Sequence, residues 1–137
     1  MSLDILFVHT NASKKIYQDL SKDHSAFEPP IWAGMLANHC RNKKFKVEIL
    51  DCEVNGLDFI KSAQEISEAK PKIACFVVYG QQPSASSQNM EGATITSKEL
   101  KKINKNIKIL FVGGHVAALP KETLKDEESI DFVALNE

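Results

Sequence analysis

At 137 residues the chain has the length of one domain, able to bury roughly two thirds of the surface its unfolded form exposes and too short for a second domain of ordinary size. Seventeen Lys plus Arg stand against eighteen Asp plus Glu, a net charge of -1, so no global field draws the domain to nucleic acid or to an anionic membrane. Cys40, Cys52 and Cys75 form no CxxC pair and predict buried reduced thiols rather than a zinc or iron–sulfur site; with no signal-peptide pattern and no apolar run near the roughly 20 residues that span a bilayer, the sequence predicts a soluble cytoplasmic domain.

Short apolar runs alternate with amphipathic ones, the pattern of βα units and a parallel sheet. Asp4 to His9 predicts the first strand. Thr10 to Pro30 follows, a polar stretch whose length in a compact domain marks a functional or a disordered segment. Pro29-Pro30 stand where prolines open helices. Ile31, Met35, Leu36 and His39 then share one face of a first helix, with His39 as half-buried packing. Lys46 to Asp51 reads as the second strand, Asp51 serving a strand-end turn or cap. Phe59, Ala63 and Ile66 mark the second helix, and Lys72 to Tyr79 the third strand. After Gly80, the run Gln81 to Gln88 carries amides and hydroxyls without charge, suited to a polar neutral ligand or to capping the next helix. Ala93, Ser97, Leu100 and Ile103 mark that helix, ending near Asn106. Lys98, Lys101, Lys102, Lys105 and Lys108 read as its wet face rather than as a nucleic-acid patch.

The sharpest break in the chain follows. The apolar run from Ile107 predicts a buried parallel strand over Lys108 to Gly113, and the run stops at Gly113-Gly114-His115 before Pro120, which opens a crossover of about two helical turns to Glu128. Without a Cβ at the two glycines a ligand can approach the main chain, and positive φ is open to them. Ile130 to Leu135 completes five strands. Right-handed crossovers and short connections predict one doubly wound α/β domain over residues 4–137, a parallel sheet of order 2-1-3-4-5 in a Rossmann-like or flavodoxin-like three-layer sandwich. Ligands are expected after strands one, three, four and five, at His9 to Pro30, Gly80 to Gln88, Gly113 to Pro120, and from Asn136 onward.

Motifs of this architecture narrow the chemistry. No G-x-G-x-x-G follows the first strand, where His9-Thr10-Asn11-Ala12-Ser13 stands, so a nicotinamide-binding domain is excluded. A phosphate-accepting receiver needs clustered carboxylates and an Asp ending strand three, where Val78-Tyr79-Gly80 stands instead. A flavin-phosphate loop from Thr10, Asn11 and Ser13 stays open. Of the histidines, His9 and His115 fall on the expected ligand edge and His24 reads as solvated. No nucleophile–base–orienter set can be assembled, so no catalytic residue and no metal ligand is assigned.

Several segments in order resemble the N-terminal cobalamin-binding domain of B12-dependent radical SAM enzymes. They are Ile5-Leu6-Phe7-Val8-His9, the Pro-Pro-led Glu28 to Ala37, Val47 to Asp51, Lys70-Pro71-Lys72-Ile73, Phe111 to Leu124, and Ile130 to Glu137. The resemblance implies a cobalamin along the carboxyl edge of the sheet, its nucleotide tail passing the Gly-Gly turn and the serine-rich loop. Gly113 and Gly114 would allow close approach, Ser84, Ser86 and Ser87 would supply hydrogen bonds, Tyr79 and Gly80 would shape the floor, and Thr10, Asn11 and His115 complete the expected cofactor-binding set. The chain departs from related patterns in two places. The Asp-x-His-x-x-Gly signature that brings a histidine to cobalt in methionine-synthase-like domains is absent, and His115 follows the glycines directly where the family usually shows Gly-Gly-x-His.

Radical SAM chemistry needs a C-x-x-x-C-x-x-C loop for its 4Fe–4S cluster, which Cys40, Cys52 and Cys75 do not form. With Met1-Ser2-Leu3 at one end and Asn136-Glu137 at the other, the sequence is expected to be an excised domain, inactive alone. In the parent enzyme a C-terminal radical SAM domain with S-adenosylmethionine and the cluster would carry out methyl transfer or related radical chemistry, while this domain holds cobalamin. The alternative is a non-catalytic flavodoxin-like sensor or interaction domain that binds a flavin, a nucleotide or no cofactor.

Overall fold

Apolar runs bounded by charge fold here as strands covered on both faces. A computed structural model describes residues 2–11, 28–79 and 83–135, the side chains of 83–86 and 88 excepted. Among them β1 (Ile5–His9), β2 (Val47–Asp51), β3 (Ile73–Val77), β4 (Lys108–Val112) and β5 (Phe132–Val133) form a sheet of order β2-β1-β3-β4-β5, parallel throughout. The connecting helices are α1 (Ile31–Asn42), α2 (Phe59–Ala69), α3 (Pro83–Ile103), α4 (Gly114–Ala118) and α5 (Pro120–Asp126). This is the predicted doubly wound sheet.

Alternation along the strands divides the core. Leu6, Val8, Ala74, Phe76, Val78, Ile109 and Phe111 pack with Ala63 and Ile66 of α2, Ala93 and Leu100 of α3, and Val116 of α4. Phe7, Cys75, Val77 and Val112 pack on the other face with Ala33 and Ala37 of α1. The chain therefore leaves β1 toward one face and β3 toward the other, opening the sheet's carboxyl edge between them.

The helices differ from expectation in informative ways. The inward face of α1 is Ala33 and Ala37, whose small side chains admit the helix close to the sheet; Ile31 and Met35 are 62% and 59% exposed, Leu36 is half-buried, and His39 is exposed rather than half-buried. Both pairs have i, i+4 spacing, so periodicity alone does not rank them. α3 begins at Pro83, placing Ser84 to Gln88 in helix rather than in a loop, because a proline in the first turn lacks only an N–H that the helix leaves unpaired anyway. It ends at Ile103 rather than near Asn106. There Asn104 Oδ1 takes the Asn106 N–H at 2.9 Å, a local turn that competes with helix.

The lysine-rich stretch is matched by acids. Lys98 pairs with Glu127 at 2.9 Å and Lys102 with Glu99 at 2.6 Å. Lys101 Nζ donates to Asp131 Oδ2 at 2.8 Å and to Ile107 O at 2.9 Å; the same carboxylate oxygen accepts the Ile109 N–H at 2.8 Å. Asp131 thus clamps the two-residue β5 to β4 and α3. Away from these charges the three cysteines are free thiols, and burial pushes Cys52 up to about 11 and Cys75 up to about 12. Both remain protonated and unreactive at neutral pH.

Partial burial acts to raise the Asp131 carboxyl, but the bonds from Lys101 and Ile109 outweigh it and hold it below its ordinary 3.8. A carboxylate depressed in the fold stabilises above its unfolded pKa and loses that contribution as pH falls through the folded value. Asp131→Asn is expected to cost about 1–2 kcal/mol in urea unfolding at pH 7, partial exposure included. The gap to the parent protein should narrow as the pH falls below 3.8.

Candidate functional site

The carboxyl ends of β3 and β4 come together at Gly113. Its φ is 152°, and a Cβ there would lie 2.1 Å from the Val78 carbonyl oxygen, while the Val78 N–H donates to Val112 O at 2.7 Å. The space a side chain would need is filled by the neighbouring main chain, so Gly113 serves the fold before any ligand. Gly114 is different. It is exposed and opens α4 without the positive φ seen at Gly113. Of the pair, Gly114 is the one that leaves bare main chain at the ligand edge.

On the α3 side of that edge, Ser87 Oγ lies 2.9 Å from His115 Nδ1, joining the second turn of α3 to α4. The two side chains stand at a cleft of about 460 Å³ that also takes in Met90, Thr94, Leu119 and Thr123. Its charged margin includes the Lys98–Glu127 pair.

On the α1 side lies a second recess of about 360 Å³, bounded by His9, Pro29, Pro30, Trp32, Val77 and Tyr79. Trp32 and Tyr79 stack with ring centroids 4.5 Å apart and planes at 21°. His9 Nε2 is 3.4 Å from Glu53 Oε2, and both side chains are largely buried. The partner is delivered by the turn after β2, where Asp51 Oδ1 accepts the N–H groups of Glu53 and Val54, each at 3.2 Å. Asp51 is therefore the strand-end turn residue that the sequence suggests.

Between the recesses, Thr10 is buried and Asn11 half-buried, and Asn11 Nδ2 donates to Leu57 O at 3.3 Å. α3 presses on this segment at Gly92, where a Cβ would sit 3.2 Å from the Phe59 ring and 3.3 Å from Asn11 O. Asn89, one turn earlier on α3, donates through Nδ2 to Tyr79 O at 3.2 Å. Its Oδ1 is buried and, among the described residues, has no hydrogen-bond partner. A buried acceptor left open beside a recess suits a ligand carrying N–H or O–H donors.

The residues singled out from the sequence thus fall into groups. Ser87 and His115 meet at the cleft, with the exposed Gly114 preceding His115, Tyr79 belongs to the recess, and Thr10 and Asn11 follow β1. Gly113 lies beneath. Gly80 and the side chains of Ser84 and Ser86 lie outside the described residues. Sequence reasoning missed Trp32, Glu53 and Asn89. Trp32 carried a usable sign, as the chain's single tryptophan just inside a Pro-Pro-led helix. Glu53 and Asn89 carried none, because their roles depend on the Asp51 turn and on where α3 begins.

Among the described residues no group of three or more His, Cys, Asp or Glu could hold a metal ion, and no helix is long and apolar enough to cross a membrane. The recess is lined by stacked aromatics and prolines, while the cleft combines hydroxyls with Lys98 and the acids Glu91, Glu122, Asp126 and Glu127. Such a set suits a ligand that is partly planar and partly amide- or hydroxyl-bearing. A family model described as "B12 binding domain" matches residues 25–137. Neither the curated proteins nor the solved structures give a match.

The two glycines should separate in mutagenesis. Gly113→Ala forces a methyl group into the Val78 carbonyl and is expected to destabilise by about 3 kcal/mol or more, read from denaturant unfolding. Gly114→Ala should stay within about 1 kcal/mol of the parent protein, because exposed helical positions favour Ala over Gly.

Proposed function

The chain belongs to the B12-binding domain family, and from that membership we propose that residues 4–137 form the cobalamin-holding unit of a radical SAM enzyme. The structural observation that carries the reading is the cleft spanned by Ser87 and His115 beside the exposed main chain of Gly114. A nucleotide tail offers a ribose, a phosphate and an apolar benzimidazole. The cleft offers the Ser87 hydroxyl, the His115 imidazole and the apolar Met90 and Leu119, and its lining also carries Lys98 and the carboxylates of Glu91, Glu122, Asp126 and Glu127.

Asn89 supplies a second point of fit. Its buried Oδ1 has no donor among the described residues, and the rim of a corrin ring is rich in carboxamide N–H groups. When bound, the cofactor supplies cobalt chemistry suited to carrying a methyl group. What the chain's own residues contribute is position and surroundings. Ser87 and His115 bind and orient the tail, with Ser84 and Ser86 adjoining them in sequence. Tyr79 shapes the floor, with Gly80 next to it in sequence. Thr10 and Asn11 fix the end of β1, the latter through Leu57.

No acid–base or nucleophilic set is assembled among the described residues, so chemistry is assigned to a C-terminal radical SAM domain of the full-length enzyme. That domain would bring S-adenosylmethionine and a 4Fe–4S cluster, with methyl transfer as the reaction class. Free, protonated cysteines support a reducing, cytoplasmic setting.

Hydroxocobalamin added to the protein and passed through a desalting column should leave a corrin absorbance with the protein fraction. Gly114→Val should lower retention tenfold or more with an unchanged circular dichroism spectrum. Absence of retained corrin from the parent protein, in air and under anaerobic conditions, would overturn the reading. The radical SAM assignment is checked separately, by whether the gene encodes a C-x-x-x-C-x-x-C loop downstream of residue 137.

A further inference from the structure

We infer that Trp32 and Tyr79 form a stacking platform for the corrin ring itself, a contact separate from the cleft assigned to the nucleotide tail. The inference rests on the cobalamin reading and deepens it. It begins with an inversion in α1. The helix turns Ala33 and Ala37 to the sheet and sets Ile31, Trp32 and Met35 outward, 62%, 41% and 59% exposed. A cluster of large apolar side chains facing water, led by the only tryptophan, marks a surface that something covers.

Its position identifies the cover. The cluster lies in the first turns of α1, where Pro29 and Pro30 bring the chain to the carboxyl edge and Pro29 O takes the Ile31 N–H at 2.8 Å. The recess beside it, about 360 Å³, falls within the ~300–1,000 Å³ of small-molecule clefts. Trp32 and Tyr79 already stack on one another at 4.5 Å, so the ring surface is ordered before a ligand arrives and little side-chain entropy remains to be lost. Tyr79 is also where the platform joins the rest of the edge. Its carbonyl accepts from Asn89 on α3, the helix that carries Ser87 to the cleft. A ligand with a tail at Ser87 and a broad, largely apolar ring reaching past Tyr79 would cover both. His9, on the recess wall, is engaged by Glu53, and the aromatic pair, with Pro29, Pro30, Ile31 and Met35 beside it, makes up the recess's apolar surface.

Cobinamide, which keeps the corrin ring and lacks the nucleotide tail, isolates this contact. Both cobinamide and hydroxocobalamin should bind the parent protein, read by retained visible absorbance. Trp32→Ala should weaken both by a common factor of about tenfold, and Trp32→Phe should recover most of the loss. Bound cobinamide should also protect Trp32 from oxidation by N-bromosuccinimide, read by mass spectrometry, a measurement that needs no variant. A folded Trp32→Ala protein that binds cobinamide as well as the parent overturns the platform while cobalamin binding stands, and so does Trp32 oxidised equally with and without cobinamide. Trp32 protected in the corrinoid-free protein by self-association overturns it in favour of a protein occupant. If neither corrinoid is retained, the cobalamin reading itself fails.

Discussion

The carboxyl edge of this domain depends on one close approach, that of the Gly113 main chain to the carbonyl of Val78. With 2.1 Å between that oxygen and the place a Cβ would occupy, β3 and β4 stay in register to their last hydrogen bond. Only then do they part, β3 continuing to Tyr79 and β4 turning into α4. The direction of that turn sets Gly114 and His115 beside α3. Ser87 and His115 meet there at 2.9 Å, on the rim of the cleft between α3 and α5.

Charge is organised with the same economy. The lysines of α3 and β4 are matched by Glu99, Glu127 and Asp131, and Lys72, whose carbonyl accepts the Lys108 N–H, pairs with Asp4 at the amino edge of the sheet. At the carboxyl edge the recess is aromatic and apolar with His9 held by Glu53, while the cleft beside Ser87 and His115 carries Glu91, Glu122, Asp126 and the Lys98–Glu127 pair.

Much of the fold was legible because buried parallel strands need continuous apolar runs, and Ile73 to Val77 or Ile109 to Val112 have few other uses. Strand order followed from handedness and connection length. The helices were less transparent. Ala33 and Ala37 look too small to direct a helix beside Ile31 and Met35, yet closeness to the sheet favoured the small pair. Ser84 to Gln88 read as loop because serine and glutamine are common there, whereas Pro83 opens a helix through them. In the site, the glycine break and the two edge histidines were visible as local features. Their partners were not: Glu53 stands 44 residues from His9 and Ser87 stands 28 from His115, separations that no local pattern bridges. The need for a bare Cα at Gly113 was legible, but not that the Val78 carbonyl fills the space beside it.

The contact at Gly92 has a mechanical meaning. Because Gly92 lets α3 rest directly on Phe59 and the main chain of Asn11, a larger side chain there would push the helix outward. Asn89 and Ser87 ride on that same helix, so such a substitution would shift both with respect to the end of β1.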